Sequence, residues 1–134
     1  MEIRTFEGSS HCGKVRFTVA TTRNKVVVCN CSICQKKGAR LLRVAPEEFE
    51  LLTGCDELVA YRFGTGVAAH YFCPNCGIHP FGRPRSAPDM ININIQCLDT
   101  IDPDDAGFDF IPFDGQHWEE SVATLNSAMA ANHS

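Results

Sequence analysis

Leu58-Val-Ala-Tyr-Arg-Phe63-Gly64-Thr65-Gly66-Val67-Ala-Ala-His-Tyr-Phe72-Cys73-Pro74-Asn75-Cys76-Gly77 reads as two β-strands, a glycine turn, and a cysteine knuckle delivered by the second strand. β-Branched and aromatic residues on either side of Gly64-Thr65-Gly66 suit a hairpin with a three-residue turn. In Cys73-Pro-Asn-Cys76-Gly77 a tight turn points backbone N–H groups at the sulfurs, and the glycine permits the strained return of the chain. A hairpin strand feeding such a knuckle is the usual framework of a zinc ribbon, so a mostly β fold is expected.

The flanking sequence agrees. Val15, Phe17 and Val19 alternate with Lys14, Arg16 and Thr18, the pattern of a half-buried strand. Val26-Val27-Val28 is a short β-branched run ending at Cys29. Ile91, Ile93 and Ile95 alternate with Asn92, Asn94 and Gln96, which predicts another strand. Leu41 to Ala45 and Glu50 to Leu52 are weaker strands around Pro46. Only the C-terminal end reads as helical: Trp118, Val122, Leu125 and Met129 form one apolar stripe, with Asp114 or Gly115 near its start and Ala130 to Ser134 expected to fray. Arg83 to Pro88 and Asp99 to Gly107 read as loops, and Phe108, Phe110 and Phe113 as core. One domain over residues 1–134 is expected.

Six of the eight cysteines fall in three clusters: Cys12, then Cys29-x-Cys31-x-x-Cys34, then Cys73-x-x-Cys76. Thiolates at this spacing converge on a point about 2.3 Å from each sulfur, which suits tetrahedral zinc. The same spacing is poor for disulfides. Two metal sites are therefore expected, Cys12 with Cys73 and Cys76, and Cys29 with Cys31 and Cys34. Each lacks a fourth protein thiolate. For the first, Ser10, His11, His79 and water remain candidates. For the second, an open position allows chemistry, whereas Cys55 or Cys97 would close the site and make it structural. A thioredoxin-like Cys-x-x-Cys would need a helix start within a βαβ unit, and no βαβ pattern is visible. Otherwise Cys55 and Cys97 read as buried thiols.

The formal charge of −4 is a poor match for nucleic acid or an anionic membrane, and neither partner is expected. Met1 to Glu7 lacks a basic start followed by an apolar run, so no signal peptide is expected. Cytoplasmic localisation, where thiols stay reduced, is the expectation. Among other polar residues, Lys36, Lys37, Arg40 and Arg43 are either a solvated face or holders of a ligand carboxylate. His70 and His117 read as surface residues, and Asn30 and Ser32 as donors to the neighbouring sulfurs. The Asp99–Asp105 stretch lacks the spacing of a calcium loop.

Gly8-Ser-Ser-His-Cys-Gly-Lys-Val-Arg-Phe17, Cys29-Asn-Cys-Ser-Ile-Cys34 with Lys36-Lys37-Gly38, and Phe72-Cys-Pro-Asn-Cys-Gly77 resemble the glutathione-dependent formaldehyde-activating enzyme family, and within it the branch typified by centromere protein V. The likeness runs from Phe6 to Trp118 and takes in Pro84-Arg85-Ser86, Gln96-Cys97-Leu98-Asp99 and Trp118-Glu119. It implies a Mss4-like, zinc-containing β fold. It implies that Cys12, Cys73 and Cys76 are structural zinc ligands and that Cys29, Cys31 and Cys34 are catalytic zinc ligands. Ser10 stands where the family usually has the first structural cysteine, so that zinc should be held less tightly. The activity implied is that of a carbon–sulfur lyase, joining or parting a thiol such as glutathione and a small aldehyde. The alternatives are a zinc-stabilised module that binds a protein, and a glutathione carrier without turnover. Zinc with three protein thiolates is already net negative, so positioning is expected to contribute more than activation.

Overall fold

The computed structural model describes residues 2–105 and 107–130. In chain order its elements are β1 (Arg4–Ser9), β2 (Arg16–Thr21), β3 (Lys25–Cys29), α1 (Ser32–Lys37), β4 (Leu41–Val44), β5 (Phe49–Thr53), β6 (Val59–Tyr61), β7 (Ala69–Phe72), β8 (Phe81–Arg83), β9 (Ile91–Asn94), β10 (Asp109–Phe113) and α2 (Trp118–Ala130). The fold is mostly β, as the sequence predicts. Three strands form one sheet in the order β1-β2-β5, and seven form another in the order β10-β3-β4-β9-β8-β7-β6. Neighbours pair antiparallel except β10 and β3, which run parallel.

Alternation explains how the sheets pack. Phe17 and Val19 of β2, with Val15 before it, turn one face inward against Val26, Leu42, Val44 and Ile93 of the larger sheet. Each of these is at most 1% exposed. At about 1.5–3 kcal/mol per buried large apolar side chain, this layer is the main stabilising contribution. Gly8 lies opposite Phe17 in the ladder, where a Cβ would overlap the Phe17 ring. A carboxylate ties the two layers at one end: Glu48 accepts from Ala45 N–H, the Thr21 hydroxyl and Arg23 Nε, at 2.8, 2.8 and 2.9 Å.

The seven-stranded sheet has a second face. The strand expected from the alternation of isoleucines with Asn92 and Asn94 forms as β9, and all four of its residues are buried. In β4, Leu42 and Val44 join the main core while Leu41 packs against Cys34 and Ala39. This face is covered by α1, α2 and loops. Leu125 and Met129 of α2 pack on Val27 and Phe113, as the apolar stripe predicts. Helix α2 begins at Trp118 after a single 3-10 turn, Gly115–His117. The fraying expected at 130–134 concerns residues outside those described, except Ala130, which ends the helix.

Four differences from expectation have local causes. The 58–72 hairpin forms, with Tyr61 opposite His70, but its loop is longer than Gly64-Thr65-Gly66. Gly64 and Gly66 both take left-handed φ, and Arg62 Nη1 closes the loop onto Gly66 O at 3.0 Å. Helix α1 is too short to show an apolar period; its caps form it, Cys31 Sγ accepting from Cys34 N–H and Gly38 at φ 65 closing the end. Arg83 ends strand β8 rather than opening a loop. Cys55 is exposed in a turn, whereas Cys97 is buried as expected.

Candidate metal centre

The six clustered cysteines assemble as two groups of three, with the sulfurs in each group within 4.8 Å of one another. Ligands about 2.3 Å from a tetrahedral zinc stand about 3.8 Å apart, and Cys12 Sγ and Cys73 Sγ are 3.5 Å apart as free thiols. Both groups therefore suit a soft metal ion. Among the described residues no histidine or carboxylate joins either group.

Cys12, Cys73 and Cys76 are brought together by two similar turns. Ser10 N–H donates to Val15 O at 2.9 Å, and Cys73 N–H donates to Ile78 O at 2.9 Å. Gly13 and Gly77 end the turns at φ 79 and 78. Ser10 thus occupies in its turn the place that Cys73 occupies in the other. Its hydroxyl is buried, 3.6 Å from Cys12 Sγ, and accepts from Val15 N–H at 3.2 Å. Of the candidates for a fourth corner, Ser10 is the one beside the sulfurs. His11 is exposed, and His79 Nδ1 is bonded to Tyr71 O at 2.6 Å. Hydrogen bonds from the Asn75 side chain, Lys14 N–H and Ser10 lower the Cys12 thiol to about 6. Cys76 is lowered chiefly by Ile78 N–H. The turns are thus set to hold thiolates.

Cys29, Cys31 and Cys34 lie where β3 passes into α1. Cys31 N–H points at Cys29 Sγ (3.3 Å) and Cys34 N–H at Cys31 Sγ (3.4 Å). Hydrogen bonds from the Cys29 and Cys34 thiols hold Cys31 far below the usual thiol range. The contact with Cys31 pushes Cys29 up, and contacts with Cys29 and then Cys31 push Cys34 up. One thiolate shared by two thiols is the arrangement a cation replaces. Cys31 and Cys34 do stand at a helix start, but β4 returns antiparallel to β3, so there is no βαβ unit and no thioredoxin-like geometry. Cys55 and Cys97 stand outside this group, so neither closes it.

Asn30 makes no bond to sulfur. It accepts from Gln116 N–H (3.1 Å) and donates to Asp114 (3.0 Å), tying the cysteine turn to the start of α2. That contact brings Gly115 against the site: a Cβ there would lie 2.6 Å from Cys29 Sγ and 2.7 Å from Cys31 Cβ. In the sequence Gly115 reads only as a helix boundary, and nothing local there shows the approach. His117 is exposed and pairs with Asp114 at 2.8 Å.

A cavity of about 560 Å³ opens on Cys29, Cys31 and Cys34 and runs across the second face of the sheet to Arg43, Asn92 and Ser86. Its rim includes Phe63, Trp118 and Arg85, whose guanidinium lies 3.7 Å above the Trp118 ring. A larger cavity of about 760 Å³ adjoins at Ile33, His70 and His79 and is also lined by Lys37, but no cysteine of either group lines it. His70 is half-buried rather than a surface residue, with Nδ1 3.0 Å from Lys37 Nζ. Burial, then the Lys37 charge, lowers His70 to about 4 and His79 to about 3. Burial lowers Lys37, and the charges of Cys34, Cys31 and Cys29 oppose that shift. Of the four cations near the cysteine run, Lys37 and Arg43 line cavities. Lys36 is exposed, and Arg40 is engaged by Asp104 at 2.9 Å.

These features define a β protein with two cysteine triads positioned to bind a soft metal ion, one of them facing a cavity of small-molecule size. Residues 5–109 match the family described as "Glutathione-dependent formaldehyde-activating enzyme", and the chain belongs to that family. Its backbone is similar to the crystal structure of a Rhodobacter sphaeroides protein, with a TM-score of 0.66 and 29% identity over 79% of this chain and 97% of that one. Among the described residues no helix is long and apolar enough to cross a membrane.

Proposed function

We propose that the chain is a zinc-dependent carbon–sulfur lyase that joins or parts a thiol, glutathione or a relative of it, and a small aldehyde at Cys29, Cys31 and Cys34. In the joining direction the sulfur forms a bond to the carbonyl carbon, its proton leaves, and the carbonyl oxygen takes up a proton. The observation that carries the reading is the cavity at this group: three cysteines with no fourth protein ligand open on a space that admits a small molecule. This favours a small-molecule enzyme over a protein-binding module. Cys29, Cys31 and Cys34 would hold the zinc, which would supply a Lewis acid able to lower the pKa of an incoming thiol.

The chain's own residues do the rest. Backbone N–H groups of Cys31 and Cys34 fix two of the sulfurs. Phe113, Trp118 and Phe63 give the cavity apolar walls beside the cysteines. His70, which lines both cavities and is bonded through Nδ1 to Lys37 Nζ, is the nearer member of a pair suited to pass a proton to or from the carbonyl oxygen. Cys12, Cys73 and Cys76 hold a second zinc with a structural role. Reduced thiols at both groups fit a cytoplasmic enzyme.

The test is hydroxymethyl exchange between formaldehyde and glutathione, followed by NMR with zinc-loaded protein. Exchange above the uncatalysed rate, abolished by Cys31→Ser, is the expected result. An uncatalysed rate at high protein concentration, with zinc bound at both groups, would leave only a carrier or a structural module.

A further inference from the structure

The cavity floor contains a charge that the chain does not match. Arg43 sits in the middle of the seven-stranded sheet, on the face opposite the core, paired in register with Asn92. It is 5% exposed, and Asn92 is 8% exposed. Arg43 Nη1 donates to Asn126 Oδ1 at 3.1 Å and Nη2 to Ser86 Oγ at 2.6 Å, while its Nε and Asn92 Oδ1 have no partner among the described residues. Asn126 Nδ2 donates in turn to Ser86 O at 3.3 Å, so the guanidinium is held by two neutral groups that brace each other. Among the described residues no carboxylate lies within ion-pair distance of Arg43. A buried cation served by neutral acceptors alone is costly unless an anion joins it.

The rest of the cavity has the same bias. Its lining includes the cations Arg43, Arg83 and Arg85, two neutral histidines, His70 and His79, and no aspartate or glutamate. Glu119 engages Arg85 from outside the lining. Arg43 is repelled, in addition, by a second cation, Arg23. Burial and that repulsion lower Arg43 to about 10, so it remains a cation at neutral pH. Asn126 and Trp118 lie beyond residues 5–109, so part of this seat comes from sequence outside the family match.

We propose that this cavity selects ligands bearing a carboxylate, which seats on Arg43 beside Asn92 and Ser86 while the sulfur end reaches Cys29, Cys31 and Cys34. The sulfur end rests on the function proposed above; the carboxylate seat does not. Charge-assisted hydrogen bonds to a pre-fixed guanidinium give the seat both affinity and orientation.

Calorimetric titration of zinc-loaded protein with 3-mercaptopropionate, 2-mercaptoethanol, glutathione and S-methylglutathione tests this. The mercapto acid should bind about tenfold more tightly than the neutral thiol, the worth of one charge-assisted hydrogen bond. Arg43→Gln should remove that preference and leave the neutral thiol's affinity unchanged. Asn92→Asp, which places a carboxylate beside Arg43 from within the chain, should remove it too and keeps the test valid where Arg43→Gln fails to fold. Arg43-dependent binding of glutathione points to a tripeptide thiol, and of 3-mercaptopropionate alone to a compact mercapto acid; either supports the seat. Equal affinities in the unaltered protein, or a preference that survives both substitutions, overturns it. Failure of the thiol site has a different signature: neither small thiol binds, while S-methylglutathione, whose sulfur is blocked, still binds in an Arg43-dependent way.

Discussion

Cys12, Cys73 and Cys76 sit between two facing turns, and none of them lines either of the two cavities described above; Cys29, Cys31 and Cys34 sit at a strand–helix junction, and all three line the smaller one. The donors are the same in number and kind. What differs is what stands at the fourth corner. At the first group it is the buried Ser10 hydroxyl, already bonded to Val15 N–H. At the second it is a cavity walled by apolar rings and cations. On the function proposed above, the same ligand chemistry would serve stability at the group whose fourth corner holds Ser10 and reactivity at the group whose fourth corner opens on the cavity.

The sharpest way to break this comparison is to remove one sulfur from each group. Cys34→Ser should abolish turnover with a small fall in melting temperature. Cys76→Ser should lower the melting temperature by roughly 10 °C, on the order of 3 kcal/mol, because metal at that group contributes to folding. Metal analysis should show each variant losing one of two ions. Equal melting behaviour, or loss of both ions from each variant, would remove the distinction between the groups.

Ser10→Cys sharpens it. A thiol placed 2 residues before Cys12 on the buried Ser10 position should tighten the first site by at least about tenfold in competition with a chelator. The second site should be unaffected. In the unaltered protein the first group should release its ion before the second. Gly115→Ala acts on the second group alone. The added Cβ presses on Cys29 Sγ and Cys31 Cβ, and overpacking of about 1–3 kcal/mol should weaken that site about tenfold while the first keeps its ion.

The smallest effect is on pH dependence. His70 and His79 are neutral in the fold, at about 4 and about 3, against about 6.5 in an unfolded chain. Between these values the unfolded chain holds more protons, so stability is full above about pH 6.5 and is lost as pH falls toward 4 and then 3. His70→Gln should make that slope shallower between pH 6.5 and 4 by at most one proton, as chemical denaturation across the range would show. An unchanged slope would mean that His70 is not kept neutral where the two cavities meet.

The strands were legible where one face meets the core and the other meets water. Val15, Phe17 and Val19 show this best, and the cysteine spacing gave both groups directly. The second face of the larger sheet was not legible. Arg43 looks solvated in the sequence, but α2 and the loops cover it and Asn92, and only the assembled sheet places them side by side. Short elements held by caps were also silent. Helix α1 depends on Cys31 and Gly38 rather than on any apolar period. Strand β10 shows only near-alternate phenylalanines, since its partner β3 lies far away in sequence.

The most direct test of the open site is a crystal structure of the zinc-loaded protein with glutathione, recorded with anomalous scattering at the zinc edge. The expected result is one peak between Cys12, Cys73 and Cys76, and another between Cys29, Cys31 and Cys34 with the glutathione sulfur completing its shell. No peak at the second group, or a protein side chain in the fourth position, would contradict it.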